Sequence, residues 1–135
     1  MSQFVHDPGD ISAIQSSFVS GESDPVRFLE TLLQRAEAVE PHIHAWLSLD
    51  VEAARRQARR YHDEMQQGIR RGPLHGIPVA IKDVVDIEGQ QTRAGTASRA
   101  ESAPATLDAN IVAMLRAAGA IIMGKVHTTE YAYFE

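Results

Sequence analysis

The chain has 135 residues, 44% of them hydrophobic and 23% charged, with a formal net charge of −5 and no cysteine. That length and balance fit one soluble globular domain with a core; the acidic excess argues against a general nucleic-acid binder. The lack of cysteine excludes disulfides, thiolate metal sites and a cysteine nucleophile. No apolar run approaches the ~20 residues a bilayer span needs. The opening MSQFVHDPGD has neither the basic nor the apolar segment of a secretory signal, so a cytoplasmic protein is expected.

In chain order, Asp10 is placed to cap a short helix bearing Ile11, Ile14, Phe18 and Val19, which Gly21 can end. Ser23, Asp24 and Pro25 supply a second start, ahead of Val26, Leu29, Leu32, Leu33, Ala36 and Val39 at helical spacing; Pro41 is expected to stop that helix. Ile43, Ala45, Leu47 and Leu49 alternate as a strand would, although Ala45 and Leu47 also suit a helix. His42 and His44 would share one side of that strand, but no third metal ligand accompanies them and no metal site is expected. After Asp50 comes a third helix with Val51, Ala54, Ala58, Tyr61 and Met65 on one stripe and Gly68 past its end. Its Arg55, Arg56, Arg59 and Arg60 are interleaved with Glu52, Asp63 and Glu64, so they read as a solvated face rather than a phosphate-binding run.

The loop GPLHGIP leads into residues 79–87, a β-branched run that reads as a buried strand. His75 in that loop is expected to pack or hydrogen-bond rather than to act as acid or base. A polar segment with glycines spans 88–106. Asp108 is then placed to cap a helix with Ile111, Val112, Leu115 and Ala118 inward, closed by Gly119, and AIIMGKV (residues 120–126) reads as the next strand. Strand, helix, strand predicts a βαβ unit with parallel strands and a right-handed crossover. Thr129 and Glu130 are expected to cap the element that follows. Gly124 and Lys125 lack the glycine spacing of a phosphate loop.

The fold class predicted is therefore α/β. It divides into an extension or short helix (1–24), a helical region with a short strand (25–70), and the βαβ unit (71–135). Two strong parallel strands are few for a parallel sheet, which is normally buried on both faces. The set reads as the first part of a larger α/β domain, whose exposed strand edges would favour self-association.

Lys82 stands out. Strand periodicity puts it on one face with Ala80 and Val84, and Asp83 on the other. Burial would favour the neutral amine, a competent general base near pH 7; the alternative is a snorkelling lysine at a strand end.

The string from Gly72 to Asp83, GPLHGIPVAIKD, closely resembles the catalytic-lysine segment of the amidase signature family. Ile43-His44-Ala45-Trp46 looks like the family's "N-A-F" strand. Thr92, Ala94, Gly95 and Thr96 match its "T-x-A-G-S" loop, and Asp108, Leu115, Ala118, Gly119 and Ala120 match the helix before "G-A-x-I-x-G-K". Gly124, Lys125, Thr129, Glu130, Tyr131 and Ala132 match "G-K-T-x-x-x-E-F-A". The ordered motifs cover about residues 25–135. Val84 departs from the family's frequent Asn without keeping the amide; Thr96 replaces Ser and keeps a hydroxyl.

The resemblance implies the mixed-sheet fold of that family and a carboxamide hydrolase with a Ser–Ser–Lys triad. Lys82 would be the base, with Asp83, Gly95, Thr96 and Thr129 in substrate-binding or supporting positions. It implies a small-molecule amide substrate and no cofactor, metal, nucleic-acid or membrane partner. The family's two serines lie in a Gly-Gly-Ser-rich run that these 135 residues do not contain, and Ser98 and Ser102 are not in such a motif. On this reading the chain carries only the lysine and is inactive alone. The run after residue 127 lacks the Asn-Met usual in the glutamine-hydrolysing component of tRNA-dependent amidotransferases. A general amidase is therefore preferred over that component. The alternative of another class is a non-catalytic module that pairs with another chain or with copies of itself.

Overall fold

The structure is a computed structural model and describes residues 9–133. Its order is α1 (Ile11–Ser20), α2 (Pro25–Ile43), β1 (Trp46–Leu49), α3 (Val51–Gln66), β2 (Pro78–Lys82), α4 (Asn110–Ala117) and β3 (Ile121–Val126), with single 3-10 turns at Ala97–Arg99 and Glu130–Ala132. The mixed α/β class and the βαβ unit are as expected: β2 and β3 are parallel and α4 lies between them in sequence.

The caps set the first three helices. Asp10, Asp24 and Asp50 each take an N-cap position, and each carboxylate accepts backbone N–H groups of the first turn. Pro41 does not end α2. It falls in the last turn, where its missing N–H forfeits one bond, to the Glu37 carbonyl, just before the helix ends. There His44, in the left-handed region at φ 46, closes the helix by donating its N–H to the Glu40 carbonyl, and the Glu40 carboxylate accepts the N–H groups of Ala45 and Trp46. Ile43 is consequently a helical residue, 56% exposed, and β1 begins only at Trp46. His42 and His44 thus lie in and at the end of a helix, not along a strand, and the described residues hold no cluster of metal-ligating side chains.

Asp108 does not cap α4, contrary to expectation. The N-cap of α4 is Ala109, with no side-chain cap bond. Asp108 instead accepts the Glu88 N–H at 2.8 Å and the Arg116 guanidinium at 2.7 Å, tying the long loop to the far end of α4. Arg116 helps hold the Asp108 carboxyl below its usual range against the opposing effect of burial.

The sheet order is β1-β3-β2, with β1 antiparallel to β3. Leu29, Leu33, Ala54, Ala58 and Tyr61 from α2 and α3 pack on Ile121 and Met123. On the other side Ile81, Ile87, Val112 and Ala120 pack around Ile122. Ile14 and Phe18 of α1 close over Ile77. Fully buried His75 stands between these layers. Its Nδ1 accepts the Arg71 N–H at 3.1 Å, so its Nε2 carries the proton and donates to the Tyr61 carbonyl at 2.9 Å. That is the packing role expected of it. The Arg55 side chain bridges α3 to α2 through Glu30 at 2.7 Å as well as to Glu52. No helix among the described residues is long and apolar enough to cross a membrane.

β2 is shorter than residues 79–87. Past Lys82 the N–H groups of Val84 and Val85 both turn back to the Lys82 carbonyl, which ends the strand while Ile87 is buried in the second core. A bulge interrupts the partner: Val79 pairs with Ile122, but Ala80 pairs with Gly124 and Ile81 with Lys125. Gly124 sits at φ 146, and a Cβ there would overlap the Ser48 carbonyl of β1. Only glycine accommodates both the angle and that close approach.

Candidate active site

Parallel strands present their carboxyl ends to a common edge, and open α/β sheets place ligands there. β2 ends at Lys82 and β3 at Val126, paired in register. The loop after β2 and the segment after β3 meet at this edge.

Lys82 is exposed, as is Ala80 on the same face, while Ile81 and Asp83 are buried on the other. The alternation expected from the sequence holds, but within these residues the Lys82 face is not the apolar one, because α2 and α3 lie over β1 and β3. The Lys82 ammonium makes no hydrogen bond or ion pair among the described residues.

Asp83 is 1% exposed, and so is Lys125. Lys125 Nζ donates to Asp83 Oδ1 at 3.0 Å and to Thr92 Oγ1 at 2.6 Å. Asp83 Oδ2 accepts the Arg93 N–H at 3.1 Å, its carbonyl accepts the Ala94 N–H at 2.9 Å, and its own N–H reaches the Val126 carbonyl at 3.0 Å. The loop is thereby drawn back against the strand that carries Lys82.

Two residues in the left-handed region follow, Ala94 at φ 52 and Gly95 at φ 67. Gly95 lies against the Thr128 and Thr129 carbonyls, so that a Cβ would come within 2.7 and 2.8 Å of them. The Ala94 carbonyl accepts the Tyr131 N–H at 2.7 Å. Gly95 and Thr129 are therefore brought together. Thr96 starts the Ala97–Arg99 turn, and its hydroxyl pairs with that of Ser98 at 3.1 Å. Thr129 takes the N-cap position of the Glu130–Ala132 turn, but its hydroxyl makes no capping bond, in contrast to the expectation. Tyr131 and Ala132 in that turn have φ 49 and 59, and this left-handed start leaves no ordinary first-turn N–H for Thr129 to cap.

Lys125 and Thr92 were not singled out from the sequence as site residues. The available signal was their place in the matched motifs, Thr92 in "T-x-A-G-S" and Lys125 in "G-K-T-x-x-x-E-F-A", together with a lysine in a strand of otherwise buried residues. A cavity of about 540 Å³ opens on the β1 side, lined by Ser48, Glu52, Gln90, Arg93 and Lys125 among others; Lys82 is not part of its wall.

Helices and a mixed sheet with a parallel pair define the class as a mixed α/β protein, with Lys82 at the carboxyl edge of that pair. The family model described as Amidase matches residues 27–135, and the chain belongs to that family. It is 39% identical over 122 residues to a subunit of the glutamyl-tRNA(Gln) amidotransferase of Chloroflexus aurantiacus, covering 90% of this chain and 25% of that protein. It is 35% identical over 119 residues to an acylamidase of Rhodococcus erythropolis, covering 88% and 25%. Among solved structures, the native peptide amidase of Stenotrophomonas maltophilia matches with a TM-score of 0.83 and 32% identity, over 95% of this chain and 26% of that one. The chain thus spans about a quarter of the length of these relatives.

Proposed function

We propose that this chain supplies the lysine base of an amidase site, with Lys82 as the base and the backbone of residues 92–96 as the adjoining wall. The observation that carries the proposal is the placement of Lys82 as the last residue of β2, exposed at the carboxyl edge and flanked by a buried, hydrogen-bonded Asp83. A serine brought against the Lys82 face would pass its proton to the neutral amine, directly or through a second serine. The serine oxygen would then attack the carboxamide carbon, release the amine and leave an acyl-enzyme for water to resolve. Covering that face with further polypeptide would desolvate the amine and favour its neutral form. The nucleophile is not assigned to any residue of this chain, and the 135-residue stretch is proposed to be inactive by itself.

The substrate proposed is a small carboxamide. A second reading, glutamine hydrolysis coupled to amide transfer onto a charged tRNA, is favoured by the name of the Chloroflexus relative. The Thr-Thr-Glu-Tyr-Ala run at 128–132 weighs toward the general amidase. The test is ammonia release by the full-length gene product from simple carboxamides and from glutamine, with Lys82→Ala alongside. Turnover of simple amides, abolished by the substitution, is the expected result; near-normal turnover by a folded Lys82→Ala protein would remove Lys82 as base. Release from glutamine alone would favour the second reading.

A further inference from the structure

We infer that Asp83, Lys125 and Thr92 form a positioning unit that sets the backbone of residues 92–96 against the end of β2 presenting Lys82. The inference rests on reading that edge as the active site.

The connections of the buried pair converge on one segment. Thr92 receives the Lys125 ammonium through its hydroxyl, Arg93 gives its N–H to the Asp83 carboxylate, and Ala94 gives its N–H to the Asp83 carbonyl. Three consecutive loop residues are each held by a separate bond. Directly after them the chain enters its left-handed pair and packs Gly95 on the Thr128 and Thr129 carbonyls. A loop anchored in this way has little freedom left at the point where it passes the strand end.

Stability alone does not account for the arrangement. Burying two charges carries a desolvation cost that apolar residues of similar volume avoid, and such replacements are often neutral or stabilising. The strand is also distorted to make the pair. Ile122 and Lys125 are three residues apart, yet both lie in register with residues of one β2 face, Val79 and Ile81. Uninterrupted alternation would put them on opposite faces. The bulge at Gly124 turns Lys125 toward Asp83. A directional ion pair does what a Leu–Val contact would not: it fixes the orientation of a carboxylate whose second oxygen holds the loop.

Lys82 and the trio have separable signatures. Asp83 is the first residue of the turn that follows Lys82, so a shift of the carboxylate moves both the loop and the base. Displacing a reacting geometry by about 1 Å costs on the order of a hundredfold in rate. The mild probe is Thr92→Val, which keeps the volume and removes one acceptor from Lys125, with Thr92→Ser as the conservative rescue. Asp83→Asn and Lys125→Met are the strong probes.

The experiment measures kcat and KM for carboxamide hydrolysis by the full-length protein, with the melting midpoint recorded for each variant. The expected result is a fall in kcat of about ten- to a hundredfold for Thr92→Val, with KM changed less than about threefold and kcat restored by Thr92→Ser. A folded Thr92→Val protein with kcat within about twofold of the parent overturns the inference. So does a lowered melting midpoint with unchanged kcat, which marks the trio as a fold element only. Should Asp83→Asn or Lys125→Met fail to fold, the Thr92 pair decides alone. Failure of the underlying reading looks different: Lys82→Ala then keeps its turnover, whatever the trio variants do.

Discussion

Lys125 pairs in register with Ile81, the residue before Lys82, so neighbouring positions of one strand pair carry a sealed lysine and an open one. The two amines face different solvents. One is held by a carboxylate and a hydroxyl, and the other has no partner among the described residues.

Substitution should separate them by stability. Lys82→Met removes an amine with no hydrogen-bond or ion-pair partner among the described residues, so it strands no charge and is expected to cost far less than the change at Lys125. Lys125→Met strands the Asp83 carboxylate in the interior and should cost about 3–5 kcal/mol. Urea denaturation of the full-length variants measures both; similar costs for the two would contradict the assignment of the buried lysine.

The buried pair should also be strongly non-additive. Asp83→Asn and Lys125→Met each leave one polar group without its partner, whereas together they remove both charges. The double variant is expected to be less destabilised than the sum of the singles by about 1–3 kcal/mol. A double-mutant cycle on unfolding free energies reads this directly, and simple additivity would mean the 3.0 Å contact carries no coupling.

Gly124→Ala tests the bulge. The added Cβ meets the Ser48 carbonyl at a backbone angle that alanine rarely adopts, so the β1–β3 pairing must open or shift. A loss of about 2 kcal/mol or more is expected in chemical denaturation. Gly21→Ala is the control: it shares a positive φ of 76 but has open space around it, and should cost less.

Acid stability should depend on Glu64. Its hydrogen bonds to the Arg71 guanidinium above all, and to Arg60, lower its pKa from 4.5 to about 2 despite the opposing effect of burial. Because the folded value lies below the unfolded one, the contribution is full above pH 4.5 and is lost as pH falls toward about 2. The urea midpoint of the parent should therefore drop more steeply across that window than that of Glu64→Gln. Parallel profiles would refute the link.

Local signals carried much of the fold. Asp10, Asp24 and Asp50 are caps in the sequence and caps in the structure, because capping depends on a few adjacent residues. Asp108 looked like another, but Arg116 and the Glu88 N–H, distant in sequence, compete for it. The long apolar run after Pro78 hid the end of β2, since the turn at Lys82 is made by backbone bonds that leave no compositional mark. At the candidate site, Lys82, Asp83, Gly95 and Thr129 were visible through ordered motifs. Lys125 stood in the same motifs, but its pairing with Asp83 was hidden, because period-two reasoning cannot foresee a bulge that rotates a side chain to the opposite face.

The sheet order has a consequence for synthesis. β1 and β2 are not neighbours; each finds its partner in β3, the last of the three in sequence. A nascent chain leaving the ribosome N-terminus first therefore holds two unmatched strands until Ile121–Val126 has emerged. Pulse-labelled hydrogen exchange on stalled chains should find the β1 and β2 amides protected only once those six residues are free of the tunnel.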